Sequence, residues 1–221
     1  EIFRVEETIK RICGRFHVNH VDIFSMSHGI FVSAENENGE AYTKVNHVPL
    51  SSSHLGIVAE VNELSREISA GRVKLEEAEE RLERIEKIPP KKRWFQYMAA
   101  GLASGTFALM LGSSVSEAVA AFLIGFLSYV WVLFAGKHNL SKIIVNIVGG
   151  VIMTVLALAF MHIPFLPILK LDGMMVGAIM PMIPGVAFVN AIRDIADTDF
   201  LSGLVRMIDA LLVFVYIAIG V

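Results

Sequence analysis

Along the first 90 residues the apolar positions are interleaved with charged ones, and beyond residue 93 they merge into long uninterrupted runs. Val5, Ile9, Ile12 and Phe16 recur at helical spacing, with Glu6/Lys10 and Glu7/Arg11 as i,i+4 pairs in the favourable order, which predicts a helix over 2–16. β-rich runs at 20–26, 29–34 and 41–48 follow. Ser27-His28 and the polar stretch 35–40, containing Asn38-Gly39, separate them as turn signals and predict a three-stranded antiparallel meander. After Pro49, the hydroxyls of Ser51, Ser52 and Ser53 can accept a first-turn amide, so a helix over 54–69 should start there and stop near Gly71. Leu75, Ala78, Leu82 and Ile85 then mark the apolar stripe of one more helix, with Glu77/Arg81, Glu80/Arg84 and Glu83/Lys87 on its wet side; Pro89-Pro90 ends it.

Five apolar runs make up the rest, at 94–114, 118–136, 143–161, 173–192 and 203–221. Each approaches the roughly 20 residues that a helix needs to cross a hydrocarbon core. The uninterrupted part of the fifth, 207–221, is short, so this helix either begins near Phe200 or continues past Val221. The predicted fold is therefore a polytopic α-helical membrane protein with about five transmembrane helices at 91–221, preceded by a small α+β domain at 1–90 comprising a helix, a three-stranded meander and two helices.

Charge sharpens this division. Of 19 Lys/Arg and 22 Asp/Glu, only 5 and 6 lie beyond residue 93, and the net charge of −3 with 54% hydrophobic residues argues against disorder and against nucleic-acid binding. Lys91, Lys92 and Arg93 precede Trp94, the arrangement of a helix entering a bilayer from the cytoplasm. Lys137, Lys142, Arg193 and Arg206 flank the two loops expected on the same side. The positive-inside rule thus places the α+β domain in the cytoplasm, and the membrane expected is the cytoplasmic (inner or plasma) membrane. Cys13 is the one cysteine and reads as a small packing residue. The opening Glu1 suggests a trimmed amino terminus.

Candidate chemistry concentrates in the fourth run. Pro181 and Pro184-Gly185 interrupt an otherwise apolar helix, and each proline removes an amide donor and clashes with the preceding turn, so the helix should bend or break there. Irregular backbone inside a bilayer needs protein or a hydrated cavity to cover it, and such breaks form binding sites in transporters; a packed proline kink is the plainer alternative. Asn190, Arg193, Asp194, Asp197 and Asp199 follow, then Arg206 and Asp209, which are i,i+3 and could pair. Asp209 is a candidate proton or substrate group or an interfacial carboxylate, and Asn146 in the third run is a cavity-facing amide or interhelical glue. Gly101/Gly105 and Gly173/Gly177 have the spacing of close helix approach. The serines and histidines of the first domain, among them Ser25, Ser27, His28 and His54, lack a nucleophile elbow and read as turn and cap residues. His17 and His20 lack a third metal ligand, and no glycine-rich phosphate loop is present. Catalytic residues, metal and cofactor are accordingly expected to be none.

The run Pro184-Gly185-Val186-Ala187-Phe188-Val189-Asn190-Ala191-Ile192-Arg193-Asp194, followed by Asp199, Ser202-Gly203 and Asp209-Ala210, resembles the signature of the threonine/serine exporter family. Arg4-Val5-Glu6-Glu7-Thr8, the meander and Ile68-Ser69-Ala70-Gly71 with Glu77-Ala78 and Arg81-Leu82 are similar to that family's cytoplasmic half. The resemblance implies ion-gradient-driven export of small polar metabolites such as threonine and serine, or dicarboxylates. Its split, five-span form implies a second small membrane protein of the same family as partner, or a homo-oligomer, and the family pattern extends somewhat beyond both termini. The substrate would sit at Pro181, Pro184, Gly185, Asn190, Arg193, Asp194, Asp209 and Asn146. A membrane-tethered enzyme or regulator acting through the cytoplasmic domain is the alternative from another class.

Overall fold

A computed structural model describes residues 2–16, 18–26, 29–35, 39–48, 54–163 and 169–221. The chain divides into two compact units, Glu1–Pro90 with Asn190–Arg206, and Lys91–Val189 with Met207–Val221.

In the first unit α1 (Ile2–Arg15) leads into an antiparallel sheet of β1 (Asn19–Met26), β2 (Gly29–Glu35) and β3 (Ala41–His47) in the order β1-β2-β3. The meander is as the alternation predicts. Its register pairs Phe24 with Phe31 and Phe31 with Val45, and a bulge lies between Asn19 and Asp22. α2 (Leu55–Ser69) and α3 (Leu75–Glu86) follow. The core lies among the helices rather than on the sheet: Leu64, Ile68, Val73, Ala78 and Ile85 are buried, with Ile12, Phe16, Ile57 and Val61 packed around them. Every residue of β3 is exposed. On α3 only Ala78 and Ile85 of the expected stripe are buried, while Leu75 and Leu82 stay exposed. Glu7–Arg11, Glu80–Arg84 and Glu83–Lys87 form the predicted helical ion pairs, but Arg81 reaches across to Glu67 of α2, which joins the two helices.

The expected serine cap of α2 at residues 51–53 lies outside the described residues, as do His17, Ser27, His28 and Asn38. The cap is His54, whose Nδ1 accepts the Ile57 amide at 3.2 Å. Gly71 ends this helix at φ +70°, a left-handed conformation that glycine adopts without penalty. Cys13 is half-buried, and that burial pushes its thiol up, the behaviour of a packing residue.

The second unit contains α4 (Arg93–Met110), α5 (Val115–Lys137), α6 (Lys142–Met161), α7 (Leu171–Ile179) and parts of α8 (Gly185–Ala196) and α9 (Phe200–Gly220). α9 starts at Phe200, the early start that was one of the two expected alternatives. Among the described residues α5, α6 and α9 are each long and apolar enough to cross a membrane, and α7 with α8 qualifies as a bent fourth span. α4 falls short of this standard, because Arg93, Gln96 and the small residues Gly101, Ser104, Gly105 and Thr106 lower its apolarity.

Those small residues are used for close packing. A Cβ at Gly105 would sit 3.0 Å from the Ala118 carbonyl, and one at Gly177 would sit 2.6 Å from the Ser104 carbonyl and 2.7 Å from the Ala108 methyl, so α4, α5 and α7 meet backbone to backbone. Both glycine pairs read from the sequence thus face neighbouring helices. Around this contact Ile124, Met153, Met174 and Ala178 form a closed apolar core. α6 and α9 cross at a second glycine contact, where a Cβ on Gly150 would approach the Ile217 carbonyl at 2.9 Å and the Gly220 Cα at 3.0 Å.

The turn into α5 carries a reciprocal cap that the sequence reading missed, although Ser114-x-x-Glu117 is a legible signal for it. Ser114 Oγ accepts the Glu117 amide at 3.3 Å, and Glu117 Oε2 accepts the Ser114 amide at 2.8 Å. Oε1 of the same buried carboxylate accepts the Lys170 amide at 2.9 Å, tying the start of α5 to the start of α7. Ser114→Ala is expected to cost about 1 kcal/mol, read as a lowered melting temperature of the detergent-solubilised chain.

Candidate functional site

The interrupted fourth run is two helices. α7 ends at Ile179, a 3₁₀ turn spans Met180–Met182, and α8 begins at Gly185 with its axis bent by 60°. The local chemistry explains the geometry. Pro181 enters the 3₁₀ turn at its first positions, where a missing amide costs nothing, and Ile183 is held extended because the following Pro184 ring excludes helical backbone there. Pro184 then supplies the first accepting carbonyl of α8, to Phe188 at 2.9 Å. Pro184 and Gly185 thus stand at a helix N-terminus, which concentrates unpaired amides and positive dipole.

Open space surrounds this end on one side and packing holds it on the other. Nothing lies within 4 Å of where a Gly185 side chain would start, and Val186 is exposed, whereas a Cβ on Gly149 of α6 would meet the Met182 methyl at 2.7 Å. The break is thereby fastened to α6 through Met182.

The polar residues that follow separate into two constellations rather than one. In the first unit, buried Asp194 pairs with Arg206, Oδ2 to Nη1 2.9 Å, joining the last turns of α8 to the first of α9. Thr198 adopts φ +71° in the connection. Asp199 accepts the Ser202 amide at 3.2 Å and so caps α9. Gly203 lets the helices close up, since a Cβ there would stand 2.9 Å from the Ala191 carbonyl. Arg193 and Asp197 make an exposed i,i+4 pair at 3.6 Å, and Asn190 is half-buried.

In the second unit Asp209 receives Lys142 Nζ on both oxygens, at 3.0 and 2.9 Å. Arg206 and Asp209, which the i,i+3 spacing could have paired, therefore turn to different partners, because each finds an opposite charge on another helix. Asn146 donates to the Lys142 carbonyl at 2.7 Å, one turn back along α6, so its amide serves its own helix. Trp131 Nε1 donates to the Val145 carbonyl at 3.1 Å and holds α5 against the same turn. Sequence reasoning missed both cross-helix pairs, because it offered Arg206 only its near neighbour Asp209 and placed Lys142 only relative to a loop.

Comparison with known proteins identifies the lineage. The family model described as "Putative threonine/serine exporter" matches residues 1–221, the whole chain. A curated relative, "Threonine/serine exporter" of Corynebacterium glutamicum, is 25% identical over 181 residues, covering 80% of this chain and 37% of that protein. The chain therefore spans little more than a third of that relative's length. No solved structure matches. With its apolar helices and a family match from end to end, this chain is a multi-pass membrane protein belonging to the threonine/serine exporter family.

Proposed function

We propose that the chain is a component of a secondary transporter that exports small polar metabolites, threonine and serine or similar amino acids and dicarboxylates, across the cytoplasmic membrane at the expense of an ion gradient. The observation that carries this reading is the 60° break in an apolar helix pair of an exporter-family chain. Amides at the α8 N-terminus offset a substrate carboxylate, and the Asp209 carboxylate of the same unit serves an ammonium group or a coupled ion. Arg193, on the exposed face of α8, adds a cationic group whose surface pair with Asp197 is cheap to exchange.

In this reading α4, α5, α6, the α7–α8 pair and α9 are five spans. The 18 residues of α4 rise about 27 Å at 1.5 Å each, close to a hydrocarbon core. The amino-terminal domain lies in the cytoplasm with Lys91, Lys92 and Arg93 at the boundary. A second small membrane protein of the same family, or further copies of this chain, completes the transporter.

The test is efflux of preloaded labelled threonine, serine and a dicarboxylate from vesicles, with and without a co-expressed family partner. Arg193→Ala and Asp209→Asn are each expected to reduce efflux at least about tenfold at unchanged protein level, the loss of a charge-assisted contact. Undiminished efflux in both variants removes the site assignment, and absence of efflux for every solute with the partner present removes the export reading.

A further inference from the structure

We propose that the outer edge of β3 is a homodimer interface, where a second copy of this chain adds its own β3 antiparallel, about a twofold axis through Tyr42. Among the described residues the sheet has two edges, β1 and β3. β1 is guarded: a bulge lies between Asn19 and Asp22, and His20 stands at φ +48°, distortions that spoil a regular ladder on that side. β3 has no such guard. It pairs with β2 in unbroken register from Ala41 to His47, and each of its 7 residues is exposed. Alternate amides and carbonyls of such a strand point away from β2 and form a template for one more strand.

The side chains on this edge select the strand that is added. A twofold axis normal to the sheet keeps every side chain on its own face, so residues set opposite each other share parity and the axis passes through a residue. With the axis at Tyr42, Glu40 faces Lys44 of the second copy and Lys44 faces its Glu40. Two opposite-charge pairs then flank a Tyr42–Tyr42 contact, and on the other face the small Ala41 meets Thr43. With the axis at Lys44, two ammonium groups stand directly opposite. Axes at Thr43 and Val45 leave Lys44 facing Tyr42 and Asn46. Of the axes that pass through β3, only that at Tyr42 sets its one lysine against a carboxylate.

Acid, aromatic and base at every second residue thus make a row that is complementary to itself. Tyr42 is 63% exposed in the single chain, and its hydroxyl donates to Glu40 Oε2 at 3.0 Å, which holds ring and carboxylate together on one face of the strand. A lysine near the middle of an edge strand ordinarily discourages pairing. Here it penalises the registers that leave it unmatched and thereby specifies the one that remains. The inference concerns association alone and stands apart from the export reading.

The test uses the full chain in phosphatidylcholine vesicles, with Cys13→Ser to remove the native thiol. In that background Tyr42→Cys is expected to give a disulfide-linked dimer under mild oxidation, because directly opposed residues have Cβ atoms about 4.5–5.5 Å apart. Val45→Cys is not, since the two copies of that residue would lie six positions apart along the strands, about 20 Å. Förster transfer between labelled copies over a series of lipid dilutions then reads the charges. Glu40→Lys and Lys44→Glu, which each set like charges opposite, should weaken dimerisation about fivefold or more, and an equimolar mixture of the two variants, or the double variant alone, should restore it. A cross-link at Val45 in place of Tyr42, no cross-link at either, charge variants that associate as the wild type does, or a double variant no better than the single ones overturns the proposal. A chain without efflux that still cross-links at Tyr42 supports the dimer, so the two readings fail separately.

Discussion

Gly177→Leu is expected to leave little or no monodisperse protein after detergent extraction. The new Cβ alone would enter a space bounded by the Ser104 carbonyl at 2.6 Å and the Ala108 methyl at 2.7 Å, with the Ala121 methyl at 3.1 Å on the remaining side. Two of these neighbours are fully buried alanines and the third is helix backbone, so none can swing away as a flexible side-chain end would. α4, α5 and α7 must then separate, at a cost above the 1–3 kcal/mol or so of ordinary overpacking. Fluorescence-detected gel filtration provides the measurement. Gly185→Ala is the control, because open space surrounds that position and no fold defect is expected there. A symmetric peak for Gly177→Leu at wild-type yield would show that the three helices do not meet as described.

Asp194→Ala is expected to be the most destabilising change in the first unit. Asp194 is 4% exposed, and Arg206 opposite is itself largely covered. Removing one partner of such a pair strands the other charge, at a cost of about 3–5 kcal/mol, whereas removing both restores much of the loss. The double variant Asp194→Ala/Arg206→Ala should therefore melt above either single variant, and a double-mutant cycle by thermal unfolding gives the coupling. Additive losses would mean that the two charges do not depend on one another. The exposed Arg193–Asp197 pair, one turn away, should contribute within about 1 kcal/mol. That contrast separates a buried pair from a surface pair in what each adds to stability.

Much of this architecture could be read from periodicity and punctuation. The meander, α2 and α3 lie within a residue or two of expectation, because alternating and 3.6-residue patterns are local. The break at residues 180–185 was equally legible, since proline acts on its own turn wherever it stands. What the sequence left undecided was non-local. Arg206 had Asp209 three residues away and Asp194 twelve away, and only the folded α8–α9 turn shows that the distant partner wins. Lys142 and Asp209 are 67 residues apart, beyond any spacing rule. The cap at Ser114 and Glu117 was within reach of motif reading, but the third bond of that carboxylate, to Lys170, was not.

The two glycine contacts differ in what they permit. Where α4, α5 and α7 converge, three helices share one contact, with a methyl group on two of its sides. Gly150 and Gly220, in contrast, let α6 and α9 touch without side-chain knobs that would have to disengage. The Lys142–Asp209 bridge stands about two turns before that contact on both helices, so α6 and α9 are joined at two points along their length, one ionic and one through bare backbone.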